Sequence, residues 1–193
     1  WYMIYHMPPL ILTLELDRHS FEIFNTLRQE HFPPERNFLD AHVTLFHKLP
    51  GEQEVSIKKT LQDVSSRSGL ALSFSGLRFL GKGVAVNVES SELVELRKKL
   101  VTTWKDWLEP QDKQPFKPHV TVQNKVTPEA AMMLLEHLQK TWTPLTGSGT
   151  GLLLWRYLGG PWELVETFPF SKWAFWLEQS SSLRASLFLF AER

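Results

Sequence analysis

The apolar positions of the first half alternate between a period of about two residues, typical of strands, and one of about 3.6 residues, typical of helices. They predict a strand over 10–16, a helix with Ser20 as its N-cap, and a strand over 41–46 that follows a helix-breaking proline pair. A second helix and a strand over 71–74 come next, which gives the order strand, helix, strand, helix, strand. The apolar helix faces consist of Phe21, Phe24 and Leu27, and of Ile57, Leu61 and Val64.

The second half of the chain repeats that order of elements. Glycine-rich segments at 81–83 and 159–161 predict a hairpin turn after the last strand of each half. A duplicated unit of this kind predicts an α+β fold with two pseudo-symmetric lobes, built from β-α-β units with antiparallel sheets, around a central cleft. The elements of this half are a strand over 84–88, a helix capped by Ser90 or Ser91 with the apolar face Leu93, Leu96, Leu100, Trp104 and Trp107, a strand over 118–123, a helix begun by Thr127-Pro128, and a strand over 152–157.

One bilobal domain over 8–170 is predicted, with repeat halves of about 8–80 and 81–170. The preceding residues 1–7 lack the basic leader and the small-residue cleavage site of a signal peptide, and we interpret them as extra N-terminal residues. Residues 171–193 combine aromatic side chains with a serine run, and this atypical tail suggests no function.

The composition narrows the class of partner. With 21 basic and 21 acidic residues the net charge is zero, so no overall field attracts long nucleic acid, and any RNA partner must be small or held locally. The chain has no cysteine, which excludes disulfides, thiolate nucleophiles and zinc-thiolate sites and favours a cytoplasmic location. No apolar run approaches the roughly 20 residues of a membrane-spanning helix, so we expect no membrane partner.

The central strands of the two predicted halves carry the same short motif. A His-Val-Thr sequence begins at His42 and again at His119. Because side chains alternate along a strand, His42, Thr44 and Phe46 are expected on the cleft face, and His119 and Thr121 repeat that arrangement. One His-x-Thr triplet is a weak signal, but equivalent positions in both repeats indicate a shared site.

These residues resemble the two-histidine (2H) phosphoesterase superfamily, in particular its 2′-5′ RNA ligase-like branch of cyclic phosphodiesterases. The resemblance rests on the duplicated His-x-Thr-x motif and covers about 8–170, where the segments 32–38 and 152–170 look like a bacterial subgroup. Val122 stands where leucine is commoner in the second motif. The resemblance implies two lobes around a cleft that holds the four motif side chains, and an enzyme that acts on phosphodiesters.

The chemistry of a 2′,3′-cyclic phosphate suits a pair of histidines. One group must take a proton from the attacking water while another donates a proton to the departing ribose oxygen, and imidazoles titrate near neutral pH. We therefore expect His42 and His119 to act as acid and base without metal or cofactor, with Thr44 and Thr121 donating hydrogen bonds to the phosphate. The reverse reaction forms a 2′-5′ linkage. The expected partner is a nucleotide or RNA end with a cyclic phosphate, bound by a monomer that needs no protein partner.

Binding to a neutral protein calls for contacts other than overall charge. Aromatic side chains provide stacking surfaces for bases, and Phe46 is the best placed candidate, followed by Trp155 and Tyr157. Arg156 and Lys125 are further candidates for a phosphate contact.

Two other functions remain open at this point. A zinc hydrolase would draw its ligands from His31, His42, His47 and His119, but the chain lacks a close helical histidine pair and a flanking set of carboxylates. A catalytically silent module of the same fold would use the cleft only to bind a nucleotide or an RNA end.

Overall fold

The computed structural model describes residues 7–171 of the 193-residue chain. Apart from Met7 and Ser171, the predicted N-terminal extension and the atypical tail lie outside the described residues. The strands are β1 (Leu10–Leu16), β2 (Val43–Leu49), β3 (Leu70–Phe74), β4 (Leu77–Phe79), β5 (Val84–Asn87), β6 (His119–Gln123), β7 (Leu145–Tyr157) and β8 (Trp162–Pro169). The helices are α1 (Arg18–His31), α2 (Glu54–Ser65), α3 (Ser91–Trp104) and α4 (Pro128–Thr141).

The eight strands of the described region form one curled antiparallel sheet, which confirms the predicted α+β class. Its order is β3-β7-β1-β2-β6-β5-β4, and β8 also pairs with β7. At the centre, β2 and β6 pair through Val43 and Val120. This contact brings the two motif strands side by side, although 77 residues separate their histidines in the sequence.

The strands of the two halves are interleaved in the sheet. Strand β7 of the second half lies between β1 and β3 of the first half, and β4 of the first half forms a hairpin with β5 of the second. The repeat seen in the sequence therefore describes the order of elements along the chain, whereas the sheet is assembled from both halves.

Strand alternation produces a buried face and a half-buried face around the motifs. In β6, Val120 and Val122 are fully buried while His119 and Thr121 are half-buried. The helices cover the sheet at four places, with α1 on β6 and β7, α2 on β7 and β8, α3 on β3, and α4 on β4 and β5. Each large apolar side chain fully buried in this way contributes about 1.5 to 3 kcal/mol of transfer free energy.

The helix starts agree with the prediction in the second half and differ in the first. Ser90 caps α3 and Thr127 caps α4, each by accepting a hydrogen bond from a backbone N–H of the first turn. Helix α1, in contrast, begins at Arg18 and is capped by Asp17, whose carboxylate accepts from the backbone N–H of Ser20. The prediction of Ser20 as the N-cap was therefore wrong, since Asp17 holds the cap position and Ser20 lies inside the first turn.

Strand β7 begins well before the predicted residue 152. Its first part contains three glycines, which weaken the strand signal in the sequence. The structure explains Gly149, because a Cβ there would lie 2.8 Å from a methyl carbon of Leu14 on the neighbouring strand. Close packing of β1 on β7 thus requires glycine, a residue that usually predicts a turn in a sequence.

Candidate functional site

The central strand pair aligns the two motifs in opposite directions. Because Val43 pairs with Val120 in an antiparallel register, His42 lies across from Thr121 and Thr44 lies across from His119. All four side chains line one cavity of about 730 Å³. The structure therefore brings together the four residues that the sequence singled out.

The His42 ring is held by a carbonyl two residues before it. Its Nδ1 lies 2.7 Å from the carbonyl oxygen of Asp40, which accepts only, so Nδ1 carries a proton and Nε2 is left for a ligand. Burial lowers the pKa of His42 to about 4, and the positive charge of Arg28 adds to this effect, while the Asp40 hydrogen bond opposes it. The Trp162 ring packs against the imidazole at 4.9 Å between centroids.

His119 is held by the same local arrangement. Its Nδ1 lies 2.8 Å from the carbonyl oxygen of Lys117, again two residues before the histidine, and Nε2 is again left for a ligand. Burial lowers the pKa of His119, and the charges of Arg78 and His47 lower it further. The charge of His119 also lowers the pKa of His42, so the two rings are within electrostatic range of each other.

A second, mainly apolar groove of about 660 Å³ adjoins the cavity and shares His42 and Trp162 with it. Trp155 lines this groove, with its ring 6.1 Å from that of Trp162 and its Nε1 donating to the Thr13 hydroxyl at 2.9 Å. Trp162 was missed in the sequence because it directly follows a predicted turn. The pair of tryptophans forms an aromatic surface next to the first motif.

Phe46, the first stacking candidate, does not lie on the cleft face. Its ring is fully buried, packed 5.2 Å from the Trp104 ring and 4.3 Å from the Arg97 guanidinium carbon. The cause is an irregular register between β1 and β2, which ends the alternation that the motif began. The expectation that Phe46 faces the cleft was therefore wrong. Tyr157 is 39% exposed and lines neither the cavity nor the groove.

The two basic candidates differ in their surroundings. Arg156 is occupied by ion pairs with Glu54 and Glu163 at 2.7 and 2.6 Å and does not line the cavity. Lys125 lines the cavity beyond the second motif. Lys125 therefore remains available for a phosphate contact, whereas Arg156 has its charge neutralised elsewhere.

Several residues that line the cavity were not predicted as site residues. His47, which the sequence suggested only as a possible metal ligand, is exposed to the cavity and lies 3.1 Å from the Asp112 carboxylate. Arg78 and Lys117 line the cavity near His119. The distant pairing that brings these residues to the motifs leaves no local signal in the sequence.

Two further observations concern metal binding and membrane-spanning helices. Among residues 7–171, no three side chains of histidine, cysteine, aspartate or glutamate are close enough to share a metal ion. His31 is on α1 and does not line the cavity. No helix in the described part of the chain has the length and apolar character needed to cross a membrane.

Known structures share this fold at low sequence identity. TT0787 of Thermus thermophilus matches with a TM-score of 0.62 at 15% identity, over 84% of this chain and 97% of that chain. E. coli LigT complexed with NADP+ matches with a TM-score of 0.55 at 17% identity, over 86% and 99% of the two chains. LigT complexed with 3′-AMP matches with a TM-score of 0.58 at 18% identity, over 85% and 98%.

Sequence comparison identifies the family to which the chain belongs. No curated protein matches the chain significantly. The family model of the 2′-5′ RNA ligase superfamily matches residues 16–161, a segment that contains both motifs and more than half of the chain. This match confirms the resemblance inferred from the duplicated His-x-Thr motif, and the chain belongs to the 2′-5′ RNA ligase superfamily.

Proposed function

We propose that this protein is a metal-independent phosphodiesterase that opens 2′,3′-cyclic phosphates on nucleotides or RNA ends. Its superfamily comprises phosphoesterases and ligases, which supports an enzyme of this general kind. The observation that carries the proposal is the pair of imidazoles, His42 and His119, which line one cavity with Nδ1 bonded to a backbone carbonyl in each case. Each Nε2 is thereby available for proton transfer.

The proposed reaction uses the two rings in opposite protonation states. The neutral imidazole takes a proton from water as the water oxygen bonds to phosphorus, and the imidazolium donates its proton to the departing ribose oxygen as that P–O bond breaks. The product is a ribose monophosphate, and proton exchange with solvent restores the pair. With a ribose hydroxyl in place of water as the attacking group, the same proton transfers form a phosphodiester between two riboses as the P–O bond of the cyclic phosphate breaks.

The phosphate itself supplies the charge that this cycle needs. The pKa of His42 is lowered to about 4 and that of His119 is also lowered, so both rings favour the neutral form in the ligand-free protein near pH 7. A bound phosphate anion stabilises the imidazolium form and opposes this effect. Thr44 and Thr121, each across from the other motif's histidine, donate hydroxyl hydrogen bonds to the non-bridging oxygens.

The nucleoside part of the substrate is proposed to contact the two tryptophans next to His42. Trp155 and Trp162 offer an apolar surface on which a base can stack, and such contacts contribute about 1 to 3 kcal/mol per base. LigT of E. coli, which shares the fold, has been solved with 3′-AMP and with NADP+, and this supports a nucleotide as the ligand class.

The test is hydrolysis of adenosine 2′,3′-cyclic phosphate by the purified full chain in the presence of a strong chelator. We expect conversion to a monophosphate at a rate that the chelator does not change. Loss of activity in chelator with recovery on adding Zn²⁺ would instead support the zinc hydrolase. Binding of adenosine nucleotides without turnover of this compound, of an RNA fragment with a cyclic end or of ADP-ribose cyclic phosphate would support the silent binding module.

A further inference from the structure

The register irregularity in β2 brings a third histidine to the cavity. Thr13 of β1 pairs with Thr44, and Leu12 pairs with Phe46, so β2 has one residue more than β1 between these pairs. Such a bulge reverses the faces of the residues that follow it. Phe46 consequently enters the core, and His47 comes to line the same cavity as His42 and Thr44.

His47 is anchored by a buried carboxylate. The Asp112 side chain is 1% exposed and accepts hydrogen bonds from the backbone N–H groups of His47 and Lys48, both at 2.9 Å, and from Nδ1 of His47 at 3.1 Å. Burial alone would raise the pKa of Asp112, but these hydrogen bonds outweigh it and lower the pKa, so the carboxylate is charged. The anchored ring has Nδ1 as a donor to Asp112 and its Nε2 side for a ligand.

Two cations lie at the same end of the cavity. The carbonyl oxygen of Lys117 accepts from Nη1 of Arg78 at 3.2 Å and from Nδ1 of His119 at 2.8 Å, so the guanidinium lies close to His119, at the start of β6. Within residues 7–171, no carboxylate lies within ion-pair distance of Arg78 or Lys117, whereas Lys48, Arg67 and Arg156 all have such partners. In this part of the chain the charges of Arg78 and Lys117 are therefore not paired with a carboxylate, while the charged Asp112 is bonded to His47.

The other end of the site has the opposite character. The groove beyond His42 is lined by the carboxylates of Glu15, Asp17 and Asp40, and its one arginine, Arg18, is paired with Glu22 at 2.8 Å. An additional anion of the substrate is thus disfavoured beyond His42 and favoured beyond His119. The site has a direction along β2, from the aromatic groove through the histidine pair to the cationic end.

We propose that His47, Arg78 and Lys117 form a second anion subsite, which binds the phosphate attached to the 5′ oxygen of the nucleoside that carries the cyclic phosphate. This inference rests on the proposed function and extends it. In an RNA end or a 5′-phosphorylated nucleotide, the next phosphate after a terminal 2′,3′-cyclic phosphate is always on the 5′ side. The substrate class is therefore a nucleotide or oligonucleotide with a 5′-linked phosphate, in preference to a nucleoside cyclic phosphate alone.

The test is a comparison of equilibrium binding, so that it does not depend on turnover. Dissociation constants of adenosine 2′,5′-bisphosphate and adenosine 2′-monophosphate are measured by calorimetry with the full chain. We expect the bisphosphate to bind about tenfold more tightly, an advantage that decreases at high salt. In the double variant Arg78→Gln/Lys117→Gln the two nucleotides should bind alike, because Gln keeps much of the side-chain length and removes the charge.

Lys82→Gln is the matched control, since Lys82 is exposed in the turn after β4 and does not line the cavity. This variant should keep the full advantage of the bisphosphate. Equal binding of the two nucleotides by the unaltered chain, or an advantage retained by the double variant, would overturn the second subsite. Failure of the catalytic proposal is seen separately, as absence of hydrolysis in a protein that still binds the bisphosphate more tightly.

Discussion

His42, directly before β2, and His119, at the start of β6, each begin a His-Val-Thr sequence and are held in the same way, but they lie in different surroundings. Beside His42 are a tryptophan ring and a mainly apolar groove, whose charged side chains include three carboxylates. Beside His119 are Arg78 and Lys117, on the open cationic side of the cavity. The motif thus supplies two histidines that are held in the same way, and the neighbouring strands and loops make the two sides of the site unequal.

The motif histidines should account for the largest effects if the two strands are equivalent in catalysis. His42→Ala and His119→Ala should each lower the rate of cyclic phosphate hydrolysis by about 10² to 10⁴, since each removes one of the two proposed proton-transfer groups. Rates with adenosine 2′,3′-cyclic phosphate measure this. His137→Ala, on the exposed face of α4, is the control and should keep full activity. Full activity in either motif variant would refute the acid-base assignment.

The motif threonines should show the next largest effect. Thr44→Val and Thr121→Val keep the β-branched shape that suits a strand and remove the hydroxyl, so we expect a loss in kcat of about 100-fold for each. Thr146→Val, at an exposed position of β7, serves as the control. Unchanged kcat in both motif variants would mean that the threonines only shape the strands.

The aromatic groove should distinguish the two sides of the site through substrate binding. Trp162→Ala should raise KM for a nucleoside cyclic phosphate about tenfold, because it removes a stacking surface beside His42. A ribose cyclic phosphate without a base should show little change. Leu164→Ala, an exposed position on the same strand, is the matched control. Equal effects of Trp162→Ala on both substrates would argue against base stacking.

The electrostatic surroundings of His42 should also affect the free energy of unfolding, and this is the smallest of the expected effects. The pKa of His42 in the folded protein is about 4, below its ordinary value of 6.5, so the unfolded chain binds more protons between pH 4 and 6.5. Stability from this group is complete above pH 6.5 and is lost as the pH falls through that window. His42→Gln should reduce the loss of unfolding free energy between pH 7 and pH 5.5 by about 1 kcal/mol, measured by urea titration. The control variant His137→Gln should lose as much unfolding free energy over this pH range as the unaltered chain. If His42→Gln also loses as much as the unaltered chain, the account is contradicted.

Local patterns predicted the regular parts of this fold well. Strand β6 was placed within one residue, because its alternation of polar and aliphatic residues matches its half-buried position. Thr127 and the proline after it marked the start of α4, since cap chemistry depends only on neighbouring residues. The duplicated motif is visible for the same reason, and the sequence alone was enough to indicate the family.

The errors at the site arose where distant contacts decide the local structure. The bulge that buries Phe46 and exposes His47 depends on the pairing of β2 with β1, which the β2 sequence alone does not contain. The cationic end combines residues from three separate segments, His47, Arg78 and Lys117, and their approach follows from sheet order. Sequence patterns therefore located the two histidines that line the cavity but not the groups that surround them.

The most direct test of the central claim, that one phosphate lies between the two imidazoles, is NMR titration of histidine side chains labelled with ¹⁵N. Spectra are recorded across pH with and without adenosine 2′-monophosphate, and signals are assigned with the single histidine variants. The account predicts that the nucleotide raises the pKa of both His42 and His119 and leaves the signals of His137 unchanged. A response from one motif histidine alone, or from neither, would contradict it.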